Sequence, residues 1–137
     1  QSAAYAGVIT KFMEKIAEEK PLKIFGDGTN IRDFVSVNDV VNSIELGMKK
    51  IHGKKGNFYN IASGTHTTIE DLAALMISIS GKNLDIEYAS PRAGDIKHSR
   101  ASITLAKQEL GYSSNTKLNE GLESLLDAYR KKIQISA

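Results

Sequence analysis

The sequence predicts an α/β fold of mixed helices and short strands. Three observations carry this reading. Apolar residues recur at helical spacing in several separate segments. Short β-rich runs lie between those segments. Glycine and proline mark the joins. At 137 residues the chain is about one domain long, and it is read as a single unit over 1–137. Hydrophobic residues make up 41% and charged residues 25%. Those proportions favour a modest packed core over disorder.

Val8, Ile9, Phe12, Met13 and Ile16 share one helical face, with Lys11, Glu14, Lys15 and Glu18 between them. The pattern predicts a helix from about Tyr5 to Glu19, ended by Pro21. Leu22 to Phe25 alternates and reads as a short strand, with Gly26-Asp27-Gly28 as its turn. Arg32 to Val37 is β-rich. Ser36 and Asp39 have the spacing of a capping box, so a helix carrying Val40, Val41, Ile44 and Met48 should begin there. His52 to Gly56 reads as a turn, and Asn57 to Ile61 as the best strand of the chain. Thr67 with Glu70 forms a second capping-box pattern. The helix after it presents Ile69, Leu72, Ala73, Met76 and Ile79, and Gly81 stops it. Leu84 to Tyr88 is a strand and Ser90 to Asp95 a loop. A helix from about Ser102 ends at Gly111. A last helix, about Leu118 to Lys132, shows Leu122, Leu125, Leu126 and Tyr129. The Asn57 strand stands between helices, where strands normally join a parallel sheet. The chain offers it too few neighbours. Its partners are expected upstream or in another molecule, and its unpaired edge invites self-association.

Lys and Arg number 18 against 16 Asp and Glu, a net charge of +2. That is too small to hold nucleic acid by bulk electrostatics, and the cationic runs lack aromatic interleaving. Cysteine is absent, which removes disulfides, thiolate catalysis and Cys-ligated zinc. No apolar run approaches the roughly 20 residues of a membrane span. No signal peptide is recognisable, so a cytoplasmic location is expected.

From the residues alone no catalytic set emerges. His52, His66 and His98 have no partners at metal-ligand spacing. A G-x-S-x-G elbow and a G-x-x-x-x-G-K-S/T phosphate loop are missing. Gly26-Asp27-Gly28 is only a G-x-G, and Thr29 to Val37 after it looks extended rather than helical, so it reads as a turn. No tyrosine has a lysine four residues on. Arg32 and Arg92 stand out. A loop arginine is ordinarily a solvated charge, but arginine also grips phosphate bidentately. Two of them, brought together by folding, would match a diphosphate. Each charge-assisted hydrogen bond contributes roughly 1.5–3 kcal/mol.

Several stretches, in order, resemble extended short-chain dehydrogenases. They are Ala6-Gly7-Val8-Ile9 with Phe12, Lys20 through Gly28, Arg32 through Val40, Phe58 through Gly64, Pro91-Arg92-Ala93-Gly94-Asp95-Ile96, and Ala106 through Tyr112. The resemblance is to the C-terminal, substrate-binding part of NAD-dependent epimerases and dehydratases, especially of the UDP-glucose 4-epimerase type. It implies a Rossmann-type parent whose N-terminal half, absent here, binds NAD and carries the catalytic Tyr and Lys. The Asn57 strand would belong to that half's sheet. It further implies that Arg32 and Arg92 bind the diphosphate of a nucleotide sugar and that Asp95 accepts a ribose hydroxyl. Lys23 and Phe25 would serve the base, and Val8 would line its pocket. Ser99 stands where the galactose epimerases often carry a Tyr that touches the sugar, so the sugar stays open.

The expected function is the substrate-binding part of a nucleotide-sugar 4-epimerase, inactive alone. A 4,6-dehydratase or uronate decarboxylase of the same family is the alternative. A non-catalytic nucleotide-sugar-binding or interaction module is the alternative of another class.

Overall fold

The computed structural model describes residues 7–50 and 57–136. In chain order the elements are α1 (Val8–Ala17), β1 (Leu22–Phe25), β2 (Ile31–Arg32), α2 (Val37–Lys50), β3 (Thr67–Thr68), α3 (Ile69–Ser80), β4 (Ile86–Ala89), β5 (His98–Ser99), a π-wound turn (Ala106–Leu110) and α4 (Leu118–Ser136). β1 pairs with β4 in parallel, Leu22 opposite Ile86 and Phe25 opposite Ala89. β2 is the centre of a second small sheet, antiparallel to β3 and parallel to β5.

The main core forms where the predicted apolar faces meet. Phe12, Met13 and Ile16 of α1 pack with Leu22 and Ile24 of β1, Leu72, Ala73 and Met76 of α3, and Leu122 and Leu126 of α4. Each large side chain buried this fully stabilises by about 1.5–3 kcal/mol. A smaller cluster gathers Ala106, Leu110 and Tyr112, with Leu46, Tyr59, Ile61 and Ile103 against it. Tyr112 is fully buried, and its hydroxyl donates to the Ala62 carbonyl at 2.9 Å.

Several expectations are corrected. Residues 57–61 form no strand. A β-rich run becomes a strand only beside a partner, and none of the described residues pairs with it. Its polar groups turn elsewhere: Tyr59 donates to Glu109 at 2.6 Å, as does Asn57 at 3.1 Å. The helix α1 is shorter than expected at its described ends, closing at Ala17, and Glu19 adopts a positive φ of 54°. β4 lies two residues further on at its start and one at its end than the expected strand.

The first capping box holds by half. Ser36 Oγ accepts from Asn38 N at 3.3 Å. Asp39, however, turns inward to accept from Ser114, Asn115 and Thr116. The second box is displaced by one residue. Thr68, not Thr67, caps α3 by accepting from Asp71 N at 3.0 Å, and Glu70 accepts from the Tyr88 hydroxyl instead.

Val41, Ile44 and Met48, expected inside, are 50–72% exposed; α2 buries Asp39 and Ser43 instead. Leu125 of α4 is likewise half-exposed. The predicted helix from Ser102 begins at Thr104, winds as a π-helix over Ala106–Leu110, and is closed at Gly111 by its αL conformation. The expected turn at His52 to Gly56 lies outside the described residues.

Candidate functional site: an anion pocket between two loops

β1 alternates. Leu22 and Ile24 point into the core, and Lys23 points out. That leaves Lys23 and Phe25 for the opposite side. Two glycines then turn the chain. Gly26 and Gly28 both have positive φ, 83° and 78°, a region that suits glycine. A side chain at Gly28 would also meet Glu70, its Cβ lying 2.9 Å from that of Glu70. Asp27 holds the turn by accepting from the Thr29 N–H and hydroxyl at 3.0 and 2.7 Å. Those bonds, the hydroxyl first, set its pKa below the ordinary carboxylate value.

The turn delivers Arg32 to β2. Its Nη1 donates to the Ile31 and Ile96 carbonyls at 2.9 and 2.6 Å, and its Nη2 to Asp95 at 2.8 Å. These bonds tie the 91–97 loop to β2. Among the described residues, the Nε–H and the second Nη2–H of Arg32 have no hydrogen-bond partner. The next residue, Asp33, accepts from Ser63 N and Gly64 N at 2.8 and 3.1 Å and from Ser63 Oγ at 2.6 Å, which fixes this segment from behind. Arg92 comes from the other loop and lays its guanidinium over the Phe25 ring, 3.7 Å from the centroid; Lys23 Nζ stands 5.7 Å from the same ring. Both lie within cation–π range.

All six expected residues, Val8, Lys23, Phe25, Arg32, Arg92 and Asp95, line one cavity of about 370 Å³. Lys11 and Asn30 line it too, and the sequence pattern did not single them out. Lys11 could have been found as the charged residue one turn after Val8. Asn30 carried no signal beyond its place in the turn. Four cationic side chains thus face one carboxylate, an arrangement suited to a polyanion. A second cavity of about 420 Å³ adjoins it and shares Phe25, Asn30, Arg92 and Asp95.

Proton-transfer chemistry is another matter. Tyr59 and Tyr88 are held on the protonated side, foremost by their hydrogen bonds to Glu109 and Glu70. Tyr112 is held there by burial, then by the charges of Asp39 and Asp33. That is the reverse of what a tyrosine base requires. Among the described residues no three metal-ligating side chains cluster, and no helix is long and apolar enough to cross a membrane. Nor do these residues fit NAD. A dinucleotide cradle needs a glycine turn leading a strand into a helix N-terminus. Gly26 and Gly28 instead join β1 to the short β2.

Known proteins are similar to this chain along nearly its whole length. A profile of the NAD dependent epimerase/dehydratase family matches residues 1–62. UDP-glucose 4-epimerase of Mycolicibacterium smegmatis is 33% identical over 94% of this chain and 41% of its own length. The chain belongs to the NAD-dependent epimerase/dehydratase family. A second member, dTDP-glucose 4,6-dehydratase of Streptomyces griseus, is 27% identical over 90% of this chain and 38% of its own. The crystal structure of Thermotoga maritima UDP-glucose 4-epimerase with UDP-glucose superposes with a TM-score of 0.88. It is 34% identical, over 97% of this chain and 42% of that one. The chain therefore spans about two fifths of the length of these epimerases and dehydratases.

Proposed function

We propose that residues 1–137 are the substrate-binding portion of an NAD-dependent nucleotide-sugar 4-epimerase of the UDP-glucose 4-epimerase kind. The observation that carries this is the convergence of Arg32, Arg92, Asp95, Lys23, Phe25 and Val8 on one cavity. They come from three stretches far apart in sequence. Arg92 and the remaining donors of Arg32 bind the diphosphate. Asp95 accepts from the ribose, and Phe25, Lys23 and Val8 form the base end. The redox chemistry belongs to NAD, held by residues other than these. This chain binds and orients the nucleotide sugar and turns nothing over alone.

Titration of the chain with UDP tests the site. Arg92→Ala is expected to weaken UDP by roughly ten- to a hundredfold, the worth of one or two charge-assisted hydrogen bonds. Unchanged affinity would remove Arg92 from the diphosphate. The likeness to a 4,6-dehydratase keeps that reaction as a second reading. Product analysis of the whole enzyme with UDP-glucose, dTDP-glucose and UDP-glucuronate separates epimerisation from dehydration and decarboxylation.

A further inference from the structure

Asn30 stands where the two cavities meet, and it lines both. The backbone around it is pinned. Its carbonyl accepts from Ile69 N at 3.0 Å, and Ile31 N donates to the Lys97 carbonyl at 2.8 Å. The Asp27 bonds to Thr29 fix the preceding turn. With so little backbone freedom, its side chain has few places to go. It reaches across the cavity rim, and Nδ2 donates to Asp95 Oδ2 at 2.7 Å.

Arg32 holds the other oxygen of that carboxylate, Oδ1, at 2.8 Å. One donor on each oxygen fixes the carboxylate plane. Each oxygen keeps a second lone pair. Asp95 is 36% exposed at its side chain, so these lone pairs remain open to a ligand. Two coplanar acceptors match a pair of adjacent hydroxyls. A charge-assisted hydrogen bond that depends on one hydroxyl discriminates strongly against the ligand lacking it.

We propose that Asn30 is a positioning residue: its amide orients the Asp95 carboxylate to accept from the vicinal hydroxyls of a ribose, which sets the preference of the site for ribonucleotides over 2′-deoxyribonucleotides. This rests on the nucleotide-sugar reading of the site. A residue that merely staples the 91–97 loop would act differently, weakening every ligand in parallel.

The experiment is a calorimetric or NMR titration of the chain with UDP, 2′-deoxy-UDP and inorganic pyrophosphate. The wild type should favour UDP over its deoxy form by roughly tenfold. Asn30→Ala should bring that ratio close to one and leave pyrophosphate binding unchanged. Asn30→Asp keeps the shape but replaces the donor with a like charge beside Asp95, so it should lose the preference at least as fully. It also serves if the alanine variant fails to fold. A ratio unchanged in either folded variant overturns the proposal, as does a parallel loss of all three ligands. A wild type that binds UDP without preferring it over the deoxy form overturns the role of Asn30 alone. A wild type that binds neither UDP nor pyrophosphate overturns the site reading and this proposal with it.

Discussion

Asp39 shows what one side chain can be made to do by its surroundings. It is 3% exposed and sits inside the first turn of α2. Burial pushes its pKa up. Hydrogen bonds from the Asn115 N–H, the Ser114 hydroxyl and the Thr116 N–H outweigh burial, and the net direction is down. A carboxyl group with a lowered folded-state pKa stabilises above its unfolded value. That contribution is lost as pH falls through the folded value. The urea midpoint of the wild type should therefore drop below about pH 4. Asp39→Asn should flatten that part of the profile. Asp39→Ala should cost about 2–4 kcal/mol near neutral pH, since it leaves several donors unmet. A pH profile unaltered by Asp39→Asn would assign the acid sensitivity to other carboxylates.

At the scale of elements, α3 and the glycine turn support each other. Thr68 caps α3, and its loss in Thr68→Ala should cost about 1 kcal/mol by chemical denaturation. Gly28 leaves room for Glu70 in the same first turn, where an added Cβ would come 2.9 Å from that of Glu70, and Glu70 N donates to the Gly28 carbonyl at 3.1 Å. Gly28→Ala meets both a positive φ and that contact. It should cost more than about 2 kcal/mol and weaken UDP, because the turn that delivers Asn30 and Arg32 must shift. Loss of stability with UDP binding intact would show that the turn and the pocket are uncoupled. The helical periods of α1 and α3 were plain in the sequence, and their expected faces are the ones buried. The displaced cap was not, because Thr67 and Thr68 offer the same chemistry and only the path of β3 selects between them.

On the scale of the whole molecule, the described residues leave an apolar face in solvent. Val37, Val41, Ile44 and Met48 line one side of α2, all at least half-exposed, and Phe58 is 97% exposed. Contiguous patches of this kind mark surfaces that associate. The chain is expected to show concentration-dependent sedimentation. Val41→Glu with Ile44→Glu should reduce it while changing stability by no more than about 0.5 kcal/mol. A wild-type sedimentation coefficient independent of concentration would refute this.

The sequence by itself determined the α/β class and the apolar faces of α1 and α3, and it singled out Arg32 and Arg92 as candidate anion ligands. Local periodicity and residue chemistry are written into neighbouring positions. Likeness of several stretches to known enzymes supplied the expectation that Val8, Lys23, Phe25 and Asp95 join the two arginines in one site. Only the tertiary structure decided that Arg32 spends donors on Asp95 and Ile96, that Arg92 lies over Phe25, and that Asn30 reaches Asp95. Each of these joins residues about sixty or more positions apart. The same holds for the failed strand at 57–61 and the outward face of α2. Whether an extended run is a strand, or an apolar face a core, depends on what packs against it, and spacing along a chain carries no record of that.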